Sequence, residues 1–336
     1  MANAETRVQV HAQIHEFVAA QLKIPGKIFY TRPEIMVPAM LEIQTQYGLD
    51  VPSITYDAYN IEAEALGQRL IFTDANMADV DRSAPLIRER ADLAKIKAPD
   101  FDSAGRFARI IEIHTLYKKL TGREPTLRFC APFSLVANLR GIEQCLLDIQ
   151  GNPDFARELF RQVTEQVLAP WILYQKRYFP DAARISGADA TASIPIVNLR
   201  ILRDWAAPHI LRLREMCGPQ VSVVNWVGEK YLQQPEDMLN LKLKISHGLI
   251  QGQDPDVEAL GAELYKDYAN RNNAALSLGV GAAFLANSTP DEIARRVQYY
   301  CQVGRQAGRF SLYLCNVGRT TAPENLRAAI DAAHAS

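Results

Sequence analysis

Short apolar segments alternate with long helical segments along almost the whole chain, and this alternation most restricts its fold. Parallel strands need a crossover between them, so repeated strand–helix units predict a parallel sheet. Repetition over most of the 336 residues favours a (β/α)₈ TIM barrel over an open sheet, and no early Gly-x-Gly-x-x-Gly supports a dinucleotide-binding sheet. The predicted strands span residues 52–56, 69–73, 126–130, 221–227, 249–251, 276–280 and 310–314.

The predicted helices have apolar residues at helical spacing or clear start signals. Thr289, for example, precedes a proline and two acids, the usual order of a cap and first turn. No repeat or linker divides the chain, so we predict a single domain, with a short N-terminal helical appendage over residues 1–45 and the barrel over residues 46–336. The helices are predicted at residues 8–22, 60–66, 155–173, 197–215, 290–303 and 323–334.

The charge balance makes two classes of binding partner unfavourable. Lys and Arg number 37 against 38 for Asp and Glu, so a net charge of −1 disfavours nucleic acid and anionic membranes. No apolar stretch reaches the roughly 18 residues of a membrane span, and the N-terminus lacks a signal-peptide core, so we expect a cytoplasmic protein. Five scattered cysteines without a Cys-x-x-Cys pair argue against a disulfide framework or a structural zinc site.

Active sites of such barrels lie at the carboxyl ends of the strands, and this rule selects candidate residues before any family is considered. Asp57 follows the first predicted strand beside Tyr59 and Asn60, and it serves either the site or the start of the next helix. Asp189 lies in a turn of small residues that leaves space for a ligand, or it bonds its own turn. Cys315 is either a ligand or a small buried apolar residue.

Four further candidates follow other predicted strands. Asn225 and Trp226 supply either an amide and an aromatic wall or a strand end and a core tryptophan. Phe133 and Ser134 are predicted to shape the wall of the pocket. These four residues, with the polar pair beside Asp57, form the predicted substrate-binding set.

Four strings occur in order from residue 47 onward: YGLD with YDAYNIEAEALG, APFSLVANLRGIE, GADATASIP and CNVGRTTAPEN. Together they resemble the uroporphyrinogen decarboxylase superfamily. The resemblance implies a TIM barrel and one of two chemistries, because one fold can host several reactions. One class removes CO₂ from the acetate arms of uroporphyrinogen III without a cofactor. The other class moves methyl groups between a corrinoid and a thiol that a zinc ion activates.

The uroporphyrinogen-decarboxylating class is not expected here. The resemblance implies an R-Q-A-G-R string near the N-terminus for a substrate with many carboxylates, but the matching residues 27–33 hold only Arg32. The same string at residues 305–309 lies between a predicted helix and the last strand, where we interpret it as coincidence. The family's closing histidine is also missing, because Cys315 and Asn316 stand in its segment.

The methyltransferase class has three zinc ligands, as the resemblance implies: a His-x-Cys pair after a middle strand and a cysteine after the last one. Here Asn225 and Val227 replace the pair, and valine cannot bind a metal. Cys315 is the one remaining candidate ligand, so the usual zinc site is incomplete. Zinc bound by an unusual ligand set stays an open alternative.

The resemblance implies a methyltransferase-like enzyme that moves a methyl group between a methylated small molecule or corrinoid and an acceptor. Its predicted catalytic residues are Asp57, Asp189 and Cys315, with Asp189 holding the acceptor. Two alternatives stay open: a cofactor-free decarboxylase or lyase of a small carboxylic acid, with Asp57 handling the proton, and a ligand-binding barrel without turnover. The expected partners are a small-molecule substrate, a corrinoid as substrate or on a separate protein, and a second copy in a homodimer.

Overall fold

The computed structural model describes residues 7–336, in which short strands are separated by helices. None of the helices in this range is long and apolar enough to cross a membrane. The strands are β1 (Gln9–Ala12), β2 (Leu70–Ile71), β3 (Asp79–Val80), β4 (Leu127–Cys130), β5 (Ile185–Ala188), β6 (Val221–Val223), β7 (Leu249–Gln253), β8 (Ala275–Val280) and β9 (Phe310–Leu314). The helices are α1 (His15–Gln21), α2 (Gly26–Thr31), α3 (Pro33–Tyr47), α4 (Ile61–Ala65), α5 (Phe107–Thr121), α6 (Pro132–Arg140), α7 (Ile142–Gly151), α8 (Pro153–Gln162), α9 (Ala169–Tyr178), α10 (Leu199–Ile201), α11 (Ala207–Cys217), α12 (Pro235–Ile245), α13 (Asp256–Leu260), α14 (Ala262–Arg271), α15 (Ala282–Asn287), α16 (Pro290–Gly304) and α17 (Pro323–Ala335).

The strands form two parallel sheets and one small antiparallel pair. One sheet has the strand order β1-β9-β8-β7, the other has the order β4-β5-β6, and neighbouring strands within both are parallel. Helices lie between the successive strands of the two parallel sheets, as parallel pairing requires. The predicted α/β class is thus confirmed.

The described residues divide into two compact units. The first unit contains the residues up to 25, 36–55 and 227–336, with the sheet β1-β9-β8-β7. The second unit contains residues 26–35 and 56–226, with the sheet β4-β5-β6. The single domain with a boundary at residue 45 stays a prediction.

The helix predicted over residues 8–22 is wrong for its first part. Residues Gln9–Ala12 form β1, where Val10 pairs with a residue of β9, and α1 starts only at His15. Every second residue from 8 to 14 is buried, a period of two that fits a strand and overrides the helical spacing. Residues 1–6 of the predicted appendage lie outside the described part of the chain.

Two other predicted strands also differ from the structure. Of residues 69–73, only Leu70–Ile71 is a strand, and it pairs antiparallel with β3 outside the parallel sheets. Residues 52–56 belong to neither parallel sheet of the described chain, although Tyr56 is buried. Conversely, β5 is absent from the predicted strands because its sequence, Ile-Ser-Gly-Ala, is poor in β-forming residues. Its pairing with β4 on one side and β6 on the other makes it a strand.

Helix α16 starts as its sequence predicts. The Thr289 hydroxyl accepts a hydrogen bond from the Glu292 N–H at 3.4 Å, and the Glu292 carboxylate accepts one from the Thr289 N–H at 2.8 Å. This reciprocal capping box satisfies two N–H groups that a helix leaves open at its start.

The packing on one side of β5 explains why the GADATASIP string has a glycine at position 187, two residues before Asp189. Phe129, Gly187 and Val223 are register partners on β4, β5 and β6. A Cβ atom at position 187 would lie 2.6 Å from the Phe129 ring and 2.8 Å from a Val223 methyl group. Glycine therefore leaves the space that the neighbouring side chains fill, and β5 can pair on both sides.

Gly187→Ala should destabilise the protein by about 1–3 kcal/mol, because the added methyl group overpacks the contact with Phe129 and Val223. Gly151→Ala is the matched control in the same unit, since a Cβ there would meet nothing within 4 Å. The control should change stability by no more than about 0.5 kcal/mol. Urea unfolding measures both variants, and equal stabilities would contradict this account of the packing.

Candidate functional site

In the second unit, several sequence-predicted site residues meet at the carboxyl ends of three parallel strands. Ser134 lies in the first turn of α6, directly after β4, and Asp189 directly follows β5. Asn225 and Trp226 follow β6. Because β4, β5 and β6 are hydrogen-bonded neighbours, their ends lie at one edge of the sheet and bring these side chains together.

Asp189 is the centre of this group, and its carboxylate is completely buried. One oxygen accepts hydrogen bonds from the backbone N–H of Ser134 at 3.1 Å and from the Ser134 hydroxyl at 2.7 Å. The other oxygen accepts one from the indole N–H of Trp226 at 2.8 Å. Burial raises the pKa of Asp189 to about 6, although these hydrogen bonds lower it. Both carboxylate oxygens of Asp189 therefore bind protein groups, so Asp189 positions Ser134 and Trp226 in this structure.

Asn225 links Asp189 to Tyr59. The Asn225 side-chain oxygen accepts a hydrogen bond from the backbone N–H of Asp189 at 3.2 Å, and its amide nitrogen donates to the Tyr59 hydroxyl at 3.5 Å. Burial raises the pKa of Tyr59 to about 12, so the hydroxyl keeps its proton at neutral pH. Tyr59 is also partly exposed, and within residues 7–336 its hydroxyl donates to no acceptor. It is the group best placed to donate to a substrate.

The remaining predicted binding residues are less accessible. Phe133, a residue of α6, is buried. Asn60 is also buried, and its amide nitrogen donates to the backbone carbonyl of Ala78 at 2.6 Å. Thr191 approaches the Ser134 hydroxyl at 2.6 Å and so extends the Asp189 group by one more polar residue.

Asp57 is held in a buried salt bridge that the sequence did not predict. Its two oxygens accept hydrogen bonds from Arg106 at 3.0 and 2.7 Å, and only 1% of Asp57 is exposed. Arg106 also donates to Glu64 at 2.6 Å and to the backbone carbonyl of Tyr30 at 3.2 Å. The carboxylate is thus engaged at both oxygens and does not cap the following helix. Sequence reasoning missed Arg106 because 49 residues separate it from Asp57.

Glu62 is a second buried acid that sequence reasoning missed. One of its oxygens accepts a hydrogen bond from the backbone N–H of Cys130 at 2.9 Å. The other oxygen is buried without a hydrogen-bond partner among the described residues. Burial raises the pKa of Glu62 to about 8, so the side chain is mostly protonated at neutral pH. Its place in a helix rich in Ala and Glu gave no sign of this environment.

Cys315 lies in the first unit, directly after β9. It is buried, and its thiol donates a hydrogen bond to the side-chain oxygen of Gln253 at 3.2 Å. Burial raises the pKa of Cys315 well above its ordinary value, and the charge of Asp254 raises it further. Cys315 is therefore a neutral thiol in this structure.

The residues present do not fit the three-ligand zinc site that the resemblance implies. Across residues 7–336, no group of three or more His, Cys, Asp or Glu side chains is placed to hold a metal ion. At the two positions of the His-x-Cys pair, Asn225 uses both ends of its amide within the protein and Val227 has no ligand atom. Cys315 is thus the one residue of the implied ligand set with a ligand atom, and its thiol is bound to the Gln253 side chain.

The chain is similar to a known protein family and to a solved protein structure. The family model described as Uroporphyrinogen decarboxylase (URO-D) matches residues 9–336. A solved structure of a methyltransferase from Methanosarcina mazei is similar, with a TM-score of 0.77 and 16% sequence identity over 98% of this chain and 94% of that chain. No curated protein sequence matches the chain. The structural likeness shows a shared fold and confirms the fold class predicted from the sequence.

Asp189→Ala should destabilise the protein by at least about 2 kcal/mol, because it leaves the N–H groups of Ser134 and Trp226 buried without an acceptor. Asp154→Ala is the control, since Asp154 is exposed on α8 and pairs only with an exposed arginine. Its effect should stay within about 0.5 kcal/mol. Urea unfolding separates the two. A loss at Asp189 as small as the control's would mean that the hydrogen bonds around it are not stabilising.

Glu62→Gln should remove part of the pH dependence of stability. The pKa of Glu62 is about 8 in the folded protein against an ordinary value of 4.5, so the folded state holds the proton more tightly. Stability therefore falls as pH rises from about 4.5 to about 8, by a few kcal/mol, and levels off above that range. The variant lacks this decline because its amide does not ionise.

The measurement is urea unfolding of wild type and Glu62→Gln across this pH range, with Glu143→Gln as the control at an exposed glutamate of the same unit. The control should keep the wild-type slope. If wild type and Glu62→Gln have the same slope, Glu62 is ionised in the folded protein at neutral pH.

Proposed function

We propose a methyl-transfer function, on the premise that the chain belongs to the uroporphyrinogen decarboxylase family. In this proposal the protein is a methyltransferase-like enzyme that moves a methyl group between a methylated small molecule or corrinoid and an acceptor. Tyr59 and Asn225 contact the substrate, while Asp189 holds Ser134 and Trp226 at the wall of the site. The methyltransferase from Methanosarcina mazei, with a similar fold, supports this branch of the family.

The observation that carries the proposal is the salt bridge between Asp57 and Arg106. A cofactor-free decarboxylase or lyase needs an acid that can hand a proton to the carbon that loses CO₂. Both oxygens of Asp57 are occupied by one guanidinium in a bidentate pair, which favours a structural role for this carboxylate. The alternative reaction therefore lacks the proton donor assigned to it, whereas methyl transfer does not depend on that residue.

Methyl transfer requires mainly that donor and acceptor are held in line, and fixed neutral groups can do this. The Tyr59 hydroxyl can donate a hydrogen bond to the oxygen or nitrogen that carries the methyl group. As the methyl group leaves, negative charge grows on that atom, and the hydrogen bond becomes stronger. Asn225 fixes the direction of the hydroxyl because it donates to the Tyr59 oxygen and is itself held by Asp189.

The acceptor in this proposal is a corrinoid, free or on a partner protein, or another small molecule that needs no zinc-activated thiol. A corrinoid supplies a metal-centred nucleophile or methyl donor as a substrate, and the chain's own residues bind and orient the other reactant. A homodimer stays a prediction from the sequence.

The test is methylation of free cob(I)alamin by the purified protein. Methyl ethers and methylamines are offered as donors, and formation of methylcobalamin is followed by absorbance. At least one class should react, and Tyr59→Phe should lower kcat by about tenfold, the value of one hydrogen bond that is stronger in the transition state. Tyr231→Phe, at an exposed tyrosine, should leave kcat unchanged.

Two outcomes would contradict the proposal. Release of CO₂ from small carboxylic acids, without methyl transfer in either direction, would support the decarboxylase. Binding of donors without turnover of either kind, in a protein that remains folded, would support the barrel that only binds a ligand.

A further inference from the structure

The first unit carries a group of polar, uncharged side chains that the proposed function does not use. They are Gln251 and Gln253 of β7, Ser277 of β8, and Cys315 after β9, and together we call them the amide cluster. We infer that the amide cluster is a ligand site within the first unit, in which Gln253 donates a hydrogen bond to an uncharged acceptor atom of a small molecule, such as a carbonyl or ether oxygen.

Strand register places the members of the amide cluster on one face of the sheet. Gln251 is the register partner of Ser277, and Gln253 is the partner of Gly279. Side chains two residues apart on a strand point to the same side, so these positions share a face. The opposite face packs against α14, because a Cβ at Gly252 would lie 2.6 Å from the Tyr265 ring. The amide cluster is thus on the face of the sheet away from that helix.

The hydrogen bonds of the amide cluster fix the orientation of the Gln253 amide. Its oxygen accepts from the Cys315 thiol at 3.2 Å and from the amide nitrogen of Gln251 at 3.2 Å. Rotating the Gln253 amide by half a turn would set its nitrogen against the Gln251 amide nitrogen, which can only donate. The oxygen is therefore turned toward the protein, and the Gln253 nitrogen donates to no acceptor within residues 7–336.

The buried hydroxyl of Ser277 independently indicates that the amide cluster lacks a hydrogen-bond partner. Only 1% of this residue is exposed, and its hydroxyl has no hydrogen-bond partner among the described residues. Burying a hydroxyl without a partner is costly, and buried polar groups are normally satisfied by protein, water or a ligand. Because Ser277 shares a face with Gln251 and Gln253, an acceptor-bearing ligand there would supply what the hydroxyl lacks.

Gly279 leaves the space in which the Cys315 thiol and the Gln253 amide approach each other. A Cβ at this position would lie 2.6 Å from the Cys315 sulfur and 2.8 Å from the Cβ of Gln253. Any larger residue would therefore push the thiol and the amide apart. The same contact shows that the Gly279 side of β8 faces Cys315 and Gln253, which places Ser277 on that side two residues earlier.

The chemistry of the amide cluster selects a neutral ligand group. None of its four side chains is positively charged, so a carboxylate or phosphate would be desolvated there without a compensating cation. The nearby Asp254 would oppose an anion further, and it is already bound to the Arg296 guanidinium at 3.1 Å and to the Gly281 N–H at 3.1 Å. A carbonyl or ether oxygen, in contrast, matches the available amide and hydroxyl donors.

This inference goes beyond the proposed function, because it names a separate ligand site within the first unit, for a small molecule with an uncharged acceptor group. It also gives Cys315 a role other than metal ligand: the thiol is a positioning residue that orients the Gln253 amide. The test measures binding in the absence of a methyl donor, so it can fail while methyl transfer stands, and the reverse is equally true.

Acetamide and acetate are the probes, because they have nearly the same size and differ in charge. Their dissociation constants for the full chain are measured by ligand-observed NMR titration. Acetamide should bind at least about tenfold tighter than acetate, and Gln253→Glu should weaken acetamide by about tenfold, since the variant presents an acceptor in place of the donor. Gln302→Glu, at an exposed glutamine of the same unit, should change neither constant.

A second pair of variants tests the positioning role of Cys315. Cys315→Ser keeps a hydrogen-bond donor toward Gln253 and should hold acetamide affinity within about threefold, whereas Cys315→Ala should lose more than that. Thermal unfolding identifies any variant that fails to fold. Acetate binding as tightly as acetamide, acetamide binding that is absent, or acetamide binding that is unchanged in folded Gln253→Glu would overturn the inference. Equal loss in both Cys315 variants would overturn the positioning role.

Discussion

The buried carboxylate of Asp189 ties together the ends of three parallel strands. It accepts two hydrogen bonds from Ser134 after β4 and one from Trp226 after β6, while lying itself at the end of β5. A buried carboxylate without such partners would be strongly unfavourable, so each donor must be in place for the strand ends to pack as they do. The amide of Asn225 and the hydroxyl of Tyr59 take their positions from this arrangement.

Two buried acids, one in each unit, are paired with a buried cation. In the second unit, Arg106 holds Asp57. In the first unit, the ammonium group of Lys242 lies 2.6 Å from the carboxylate of Glu229, and both residues are buried. Breaking such a pair leaves an uncompensated buried charge, so removal of one partner would be strongly destabilising. The groups that we propose as ligand contacts, the Tyr59 phenol in the second unit and the Gln253 amide in the first unit, are both neutral.

Part of this arrangement could be predicted from the sequence. Ser134 and Asn225 lie at or just after predicted apolar strands, and the carboxyl ends of parallel strands lie at one edge of a sheet, so both could be assigned to that edge. Asp189 follows β5, which is not among the predicted strands. The partners of buried acids could not be predicted, since Arg106 lies 49 residues from Asp57 in the chain. Glu62 looks like an ordinary surface position of a short helix, and nothing local distinguishes it from an exposed glutamate.

The sequence by itself determined the α/β class, the positions of several helices and the candidate residues at strand ends, because hydrophobic period and capping signals act over a few residues. Tertiary structure alone decided that residues 9–12 form a strand, because their hydrogen-bond partners lie about 300 residues away in β9. It also decided that the Asp57 carboxylate binds the Arg106 guanidinium and that Cys315 is a protonated thiol bound to Gln253. Desolvation and pairing depend on which distant groups surround a side chain, and the order of residues does not reveal them.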